Sequence, residues 1–99
     1  MPYAIEYLPD AIEHLESLDA NQRAVLFDGV REQLTHQPTV GTRNRKRMRA
    51  NPLAPWELRA GPLRAFYDVQ EEPAPTVRIV AVGIKEGNRV RIGGKVVQL

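Results

Sequence analysis

The sequence predicts a single α+β domain in which one strand and two helices precede an antiparallel sheet of three to four strands. Helical apolar spacing is confined to residues 9–34, whereas the later segments have strand patterns, either alternating apolar and polar side chains or, at residues 76–84, a nearly continuous apolar run. Tight-turn dipeptides, Gly61-Pro62 and Gly93-Gly94, divide the later segments. Because the helices come as a block, we expect both to pack on one face of the sheet. The whole chain, residues 1–99, is long enough for one core.

The first elements follow from residue spacing. Residues 3–8 alternate in the manner of a short strand. Pro9 suits the first position of a helix, and Ile12, Leu15 and Leu18 follow at helical spacing. A second helix is expected to begin at a capping box formed by Asp19 and Gln22. Its apolar face carries Leu26, Phe27, Val30 and Leu34.

A basic, turn-rich connection over residues 39–55, with a short extended piece at 46–49, leads to a hairpin over residues 56–69. A two-residue Gly61-Pro62 turn of type II′ pairs Arg59 with Arg64. Alternation then places one set of side chains on the helix-covered face: Trp56, Leu58, Ala60, Leu63, Ala65, Tyr67 and Val69. The other set is Glu57, Arg59, Arg64, Phe66 and Asp68, on a face expected to be open to solvent.

The last third of the chain predicts the centre and the far edge of the sheet. Residues 76–84 are almost continuously apolar, which is typical of a central strand buried on both faces. Residues 89–92 alternate basic and apolar side chains, and Gly93-Gly94 turns the chain into the tail 95–99.

The composition and the motifs bear on which kinds of site and which cellular location we expect. The chain has no cysteine, so disulfides, thiolate metal ligands and cysteine nucleophiles are excluded. We expect neither a signal peptide nor a membrane span, because the acidic residues Glu6 and Asp10 lie within the first ten residues. We therefore expect a cytoplasmic location. Without a Walker loop, a zinc signature or a Ser-His-Asp arrangement, we expect any catalysis to need no metal and no cofactor.

Charge is separated along the chain. Residues 1–36 hold seven acidic and two basic side chains, whereas residues 41–67 hold seven basic side chains and one acidic. Most of the basic residues are arginines, which suit bidentate contact with phosphate. This separation indicates a basic working surface on an acidic scaffold.

Two arginines opposite each other in a strand pair repel, at a cost of roughly 0.2–1 kcal/mol. An anion such as phosphate between Arg59 and Arg64 would explain the arrangement. A solvated outer face, on which the arginines reach nearby acids, remains an equal alternative.

The segment 56–67, with the sequence WELRAGPLRAFY, resembles the RelE/ParE superfamily of bacterial toxins. Residues 79–85 (IVAVGIK), 87–89 (GNR) and 47–49 (RMR) extend the resemblance over nearly the whole chain. It implies a toxin of a type II toxin–antitoxin pair. RelE-like (HigB-like) members cleave messenger RNA in the ribosome and so inhibit translation, whereas ParE-like members inhibit DNA gyrase. The implied partners are a cognate antitoxin, the ribosome and messenger RNA, with operator DNA bound only through the antitoxin.

The resemblance places Arg59 and Arg64 where RelE-like nucleases bind the scissile phosphate, and Lys85 at another basic position. The chain departs from that pattern at Pro55 and Glu57, where lysines are common, and at Arg91, where some members have a tyrosine. Because arginine is a poor base, Lys85 with a pKa lowered by neighbouring arginines, or Glu57, is the candidate acid or base. Glu57 alternatively only pairs with the arginines.

Further residues are candidates for binding RNA. Phe66 shares the arginine face and can stack on a base, worth about 1–3 kcal/mol, unless the C-terminal tail or the antitoxin covers it. The basic residues expected to contact phosphates are Arg43, Arg45, Lys46, Arg47, Arg49 and Arg91. The leading hypothesis is a metal-independent, ribosome-dependent mRNA endoribonuclease. The alternative is a gyrase inhibitor, or a member of the fold that binds nucleic acid without cleaving it.

Overall fold

The computed structural model describes residues 2–98, and over this range the chain forms seven strands and two helices. Their order along the chain is β1 (Ala4–Tyr7), α1 (Pro9–Leu15), α2 (Ala20–Leu34), β2 (Arg45–Arg47), β3 (Trp56–Ala60), β4 (Leu63–Gln70), β5 (Thr76–Glu86), β6 (Arg89–Ile92) and β7 (Lys95–Val97). The α+β class is therefore confirmed.

All seven strands join one sheet, with the order β2-β3-β4-β5-β6-β7 and with β1 beside β5. The expectation of three to four strands is wrong, because β2 and β7 are three-residue edge strands, too short for alternation to be visible. The antiparallel pairing predicted for the strands that follow the helices is confirmed. Strand β1 runs parallel to the first half of β5, which is possible because both helices lie in the connection between them.

The helices pack on one face of the sheet, α1 against β5 and α2 against β3 and β4. The predicted capping box is confirmed. The Asp19 carboxylate accepts the Gln22 N–H at 2.7 Å, and the Asp19 N–H donates to Gln22 Oε1 at 2.9 Å. Pro9 lies in the first turn of α1, where its missing N–H costs nothing. Neither helix of the described chain has the length and apolar character needed to cross a membrane.

The core beneath the helices confirms the alternation predicted for the hairpin. All seven side chains assigned to the helix-covered face belong to this core or pack against it. Tyr67 is fully buried. Its ring stacks on Trp56 at a centroid distance of 6.1 Å, and its hydroxyl donates to Pro38 O at 2.6 Å.

The opposite face of the sheet carries a second apolar cluster rather than open solvent. Its buried members are Ala54, Phe66, Ala81 and Ile92. A bulge lets Val80 and Ala81 of β5 both pack in this cluster, while Ile79 and Val82 belong to the core beneath the helices. Strand β5 is therefore buried on both faces, as predicted.

Candidate functional site

The β3–β4 turn places the two arginines face to face. The pairing runs from Ala60 with Leu63 through Arg59 with Arg64, as predicted. Gly61 begins the turn with φ 60°, a value that the first central residue of a type II′ turn requires and that favours glycine. The two cationic side chains therefore lie on the same face of neighbouring strands.

These arginines lie in a cleft of about 470 Å³, so the face that was expected to be open to solvent is covered in part, and Arg59 is the more exposed of the two. The connection after β2 and the β6–β7 hairpin supply its walls. Every strand from β2 to β7 contributes a lining residue: Lys46, Arg47, Met48, Arg49, Ala50, Asn51, Glu57, Arg59, Arg64, Lys85, Asn88, Val90 and Val97. Six of these residues are basic, and Glu57 is the one acid among the described residues that line the cleft.

Arg59 and Glu57 form an ion pair on the same strand. The Arg59 Nε–H donates to Glu57 Oε1 at 3.0 Å. The Glu57 side chain is 12% exposed and the Arg59 side chain 37%. The Glu57 side chain is therefore the more buried of the two, and both residues line the cleft.

Arg64 is held by the turn itself. Its Nη1 donates to Gly61 O at 2.7 Å and to Leu63 O at 2.9 Å, and the residue is only 7% exposed. Burial lowers the pKa of the Arg64 guanidinium; the Glu57 carboxylate raises it and the Arg59 guanidinium lowers it further. Because the normal pKa of arginine is so high, the side chain remains a cation at neutral pH.

The structure brings Lys85, Lys46 and Arg49 to the same cleft. Arg47 also lines the cleft, but its guanidinium carbon lies 5.7 Å from the centroid of the Trp56 ring, on the helix-covered face of the sheet. Lys85 is exposed on β5, and its backbone N–H donates to Pro62 O of the β3–β4 turn at 2.7 Å. Lys46 lies directly opposite Glu57 in the β2–β3 pair. Five of the nine basic residues predicted to contact phosphate, namely Lys46, Arg49, Arg59, Arg64 and Lys85, thus converge on the cleft from four strands and one loop.

Two predicted RNA contacts are wrong because the side chains are buried. The Arg45 guanidinium points to the helix side, where Nε donates to Val40 O and Nη1 donates to Gln33 O, both at 2.8 Å. Phe66 is 0% exposed and lies in the apolar cluster with Ala54 and Ile92, so its ring cannot stack on a base.

Two further predicted contacts lie outside the lining of the cleft. Arg43 is exposed in the connection before β2. Arg91 is exposed on β6, where its Nε donates to Glu86 Oε1 at 2.9 Å and its Nη1 donates to Gly94 O at 3.1 Å. If these arginines contact RNA, they do so beyond the cleft.

Asn51 organises one wall of the cleft and was not anticipated. Its Oδ1 accepts the N–H groups of Leu53 and Ala54, at 2.8 and 3.1 Å. Its Nδ2 donates to Arg49 O at 2.7 Å and to Ala54 O at 3.0 Å. The Asn51-Pro52 dipeptide is a signal for such a turn, so this role was detectable from the sequence.

Among residues 2–98, no three His, Asp or Glu side chains converge in an arrangement that could hold a metal ion. What the cleft offers is a concentrated set of hydrogen-bond donors for an anion. No protein-family model and no curated protein matches the chain.

Proposed function

We propose that this chain is the toxin of a type II toxin–antitoxin pair with a RelE/ParE-like fold, and that it cleaves messenger RNA on the ribosome. The observation that carries the proposal is the convergence of Arg59, Arg64 and Lys85 in one cleft. Arginines and a lysine from three strands, with more cations beside them, match the needs of a phosphodiester ligand.

The cleft suits a nucleotide-sized segment of a single strand. Its volume of about 470 Å³ falls within the range of pockets that enclose small molecules, roughly 300–1,000 Å³. Single-stranded RNA is the form whose backbone and bases can be drawn into such a space. Lys46 and Arg49 line the wall along which the neighbouring phosphates would run.

Cleavage requires removal of a proton from the 2′-hydroxyl, stabilisation of charge on the phosphate, and protonation of the leaving oxygen. Arg59 and Arg64, which both line the cleft, would supply the stabilisation of charge on the phosphate. Glu57 and Lys85 are the candidate base and acid among the residues of the cleft.

The proposed partners follow from the same surface. An antitoxin segment laid across the cleft would neutralise the toxin by covering its cations, and operator DNA would be bound only through that antitoxin. Ribosomal RNA would contact the exposed arginines outside the cleft, Arg43 and Arg91.

The test is induced expression of the chain from a tightly repressed promoter, with messenger RNA 5′ ends mapped soon afterwards. New ends at a fixed position within codons are expected for the wild type and should disappear in Arg59→Ala/Arg64→Ala. A matched control, Arg89→Ala/Lys95→Ala, removes two exposed cations that do not line the cleft and should cleave normally. Growth arrest with intact messages would refute the nuclease.

One observation favours a second function, a toxin that binds without cutting, such as a ParE-like gyrase inhibitor. The described residues that line the cleft include neither histidine nor tyrosine, and the single carboxylate is already paired with Arg59. DNA damage with continuing translation after induction would support gyrase as the target. A folded chain that causes no growth arrest would instead indicate a nucleic-acid-binding member of the fold.

A further inference from the structure

The attraction of the cleft for an anion does not explain why an acid, Glu57, lies in it. It is the one acid among the described residues that line a largely basic cleft, with Lys46 opposite it on β2 and Arg59 two residues along on the same face. An acid here weakens the attraction of the cleft for any anion. A nearly buried carboxylate also loses hydration, which is costly unless its partners compensate.

The difference in burial between Glu57 and Arg59 indicates the role of the Glu57 carboxylate. Glu57 is the more buried group and contacts Arg59 only through Nε, so the terminal amino groups of Arg59 remain available above it. Arg64 is restrained in a comparable way, since one of its amino groups donates to the carbonyls of Gly61 and Leu63. Each arginine thus has one edge fixed by the protein and donors left for a ligand.

We propose that Glu57 is a positioning residue, which fixes Arg59 from below so that Arg59 and Arg64 together form a preorganised clamp for one phosphodiester group. The inference rests on the proposed function in one respect, that the ligand of the cleft is RNA. A restrained side chain loses less conformational freedom on binding than a free one, and this restraint outweighs the repulsion from the carboxylate.

A positioning role of Glu57 and a purely electrostatic role predict opposite effects of Glu57→Ala on anion binding. Removing an acid from a basic cleft should tighten the binding of an anion if only charge matters. If Glu57 positions Arg59, Glu57→Ala should weaken binding although the cleft becomes more positive. Glu57→Gln keeps an amide oxygen that accepts the Arg59 Nε–H, so it should retain or improve the affinity.

The experiment measures the affinity of the purified chain for a short fluorescein-labelled oligo(A) RNA and for inorganic phosphate, at constant ionic strength. Glu57→Ala is expected to weaken both by about fivefold to tenfold, the larger value corresponding to about 1.4 kcal/mol. Glu57→Gln is expected to bind at least as tightly as the wild type. The matched controls, Glu86→Ala and Glu86→Gln, alter an acid that pairs with Arg91 outside the cleft and should change neither affinity.

A spectroscopic readout separates positioning from a general loss of structure. The Arg59 Nε–H resonance should be protected from exchange in the wild type and in Glu57→Gln, and should exchange rapidly in Glu57→Ala. Circular dichroism checks that each variant is folded. Glu57→Thr, which retains strand propensity, replaces the alanine variant if that variant does not fold.

Tighter binding by both Glu57→Ala and Glu57→Gln would overturn the proposal, because Glu57 would then act as a competing charge. Unchanged affinity in Glu57→Ala would overturn it as well. Cleavage of messages in cells tests the proposed function separately. A chain that cuts no message but shows the expected pattern with the two probes would refute the nuclease and retain the positioning role.

Discussion

Arg59 and Arg64 lie directly opposite each other in the β3–β4 pair, yet their guanidinium groups are held by different partners, a carboxylate for one and turn carbonyls for the other. Their repulsion costs roughly 0.2–1 kcal/mol, and the fixed partners keep the two side chains in the cleft despite it. In the proposed function, a bound phosphate would offset this repulsion.

Arg45 and Lys46 are adjacent on β2, but we expect Arg45 to contribute to the stability of the fold and Lys46 to RNA binding. Arg45 donates to backbone carbonyls of Gln33 and Val40, so Arg45→Ala should lower the free energy of unfolding by roughly 1.5–3 kcal/mol. Lys46→Ala should change stability by less than about 0.5 kcal/mol and should reduce the salt dependence of RNA binding by about one phosphate contact. Urea denaturation and RNA titrations at several salt concentrations measure both quantities. Equal stability losses would contradict this division.

The hydroxyl of Tyr67 should stabilise the fold more than the hydroxyl of Tyr3. Tyr67 donates to the carbonyl of the fully buried Pro38, so Tyr67→Phe leaves a buried acceptor without its donor and should cost about 1–3 kcal/mol. Tyr3 donates to the Glu71 carboxylate at 2.7 Å at the surface, so Tyr3→Phe should cost less than about 0.5 kcal/mol. Thermal or urea unfolding of the two variants tests the difference, and similar losses would refute it.

The hairpin and its faces were predictable because alternation over a long segment determines which side chains share a face. Whether a face is exposed depends on what covers it, and alternation carries no such information. Phe66 was therefore placed on the correct face, but the sequence left open whether it stacks on a base or is covered, because the residues that pack with it, Ala54 and Ile92, are distant in sequence.

The remaining errors of the sequence analysis have the same cause, because the pattern within one strand does not specify which other segments contact it. Arg45 belongs to a strand of three residues, for which the sequence predicted only an extended piece at 46–49. The direction of β1 leaves no trace in its periodicity, since parallel and antiparallel strands alternate alike. The convergence of Lys46 and Lys85 on the arginines depends on the pairing of β2 with β3 and of β4 with β5, which single-strand patterns do not specify.

Gly29 allows α2 to approach β3 closely. A Cβ at this position would lie 2.9 Å from the Cβ of Ala60, closer than packed carbons approach. Gly29→Ala should therefore lower the free energy of unfolding by about 1–3 kcal/mol, although alanine is the better helix former. Gly29→Ala/Ala60→Gly removes the clash and should recover part of the loss in urea denaturation. A stabilised single variant would show that the helix can move away at no cost.

His14 should make the stability of the fold depend on pH. Its Nδ1 accepts the Val82 N–H at 3.3 Å, so protonation would set two N–H groups against each other. Burial lowers the pKa of His14, while Asp10 and Glu13 on the same helix raise it. The group of β5 that faces the His14 ring is the backbone N–H of Val82, which is uncharged. The turn after β6 faces the ring with Gly93, where an added Cβ would lie 2.9 Å from the ring. Because the unfolded chain binds the proton more readily, the contribution of His14 is complete above a pH of about 6.5 and declines as the pH falls toward the lowered pKa. Urea denaturation at a series of pH values should show this decline in the wild type and in His36→Gln, and a smaller one in His14→Gln. Parallel pH profiles for all three proteins would contradict the assignment.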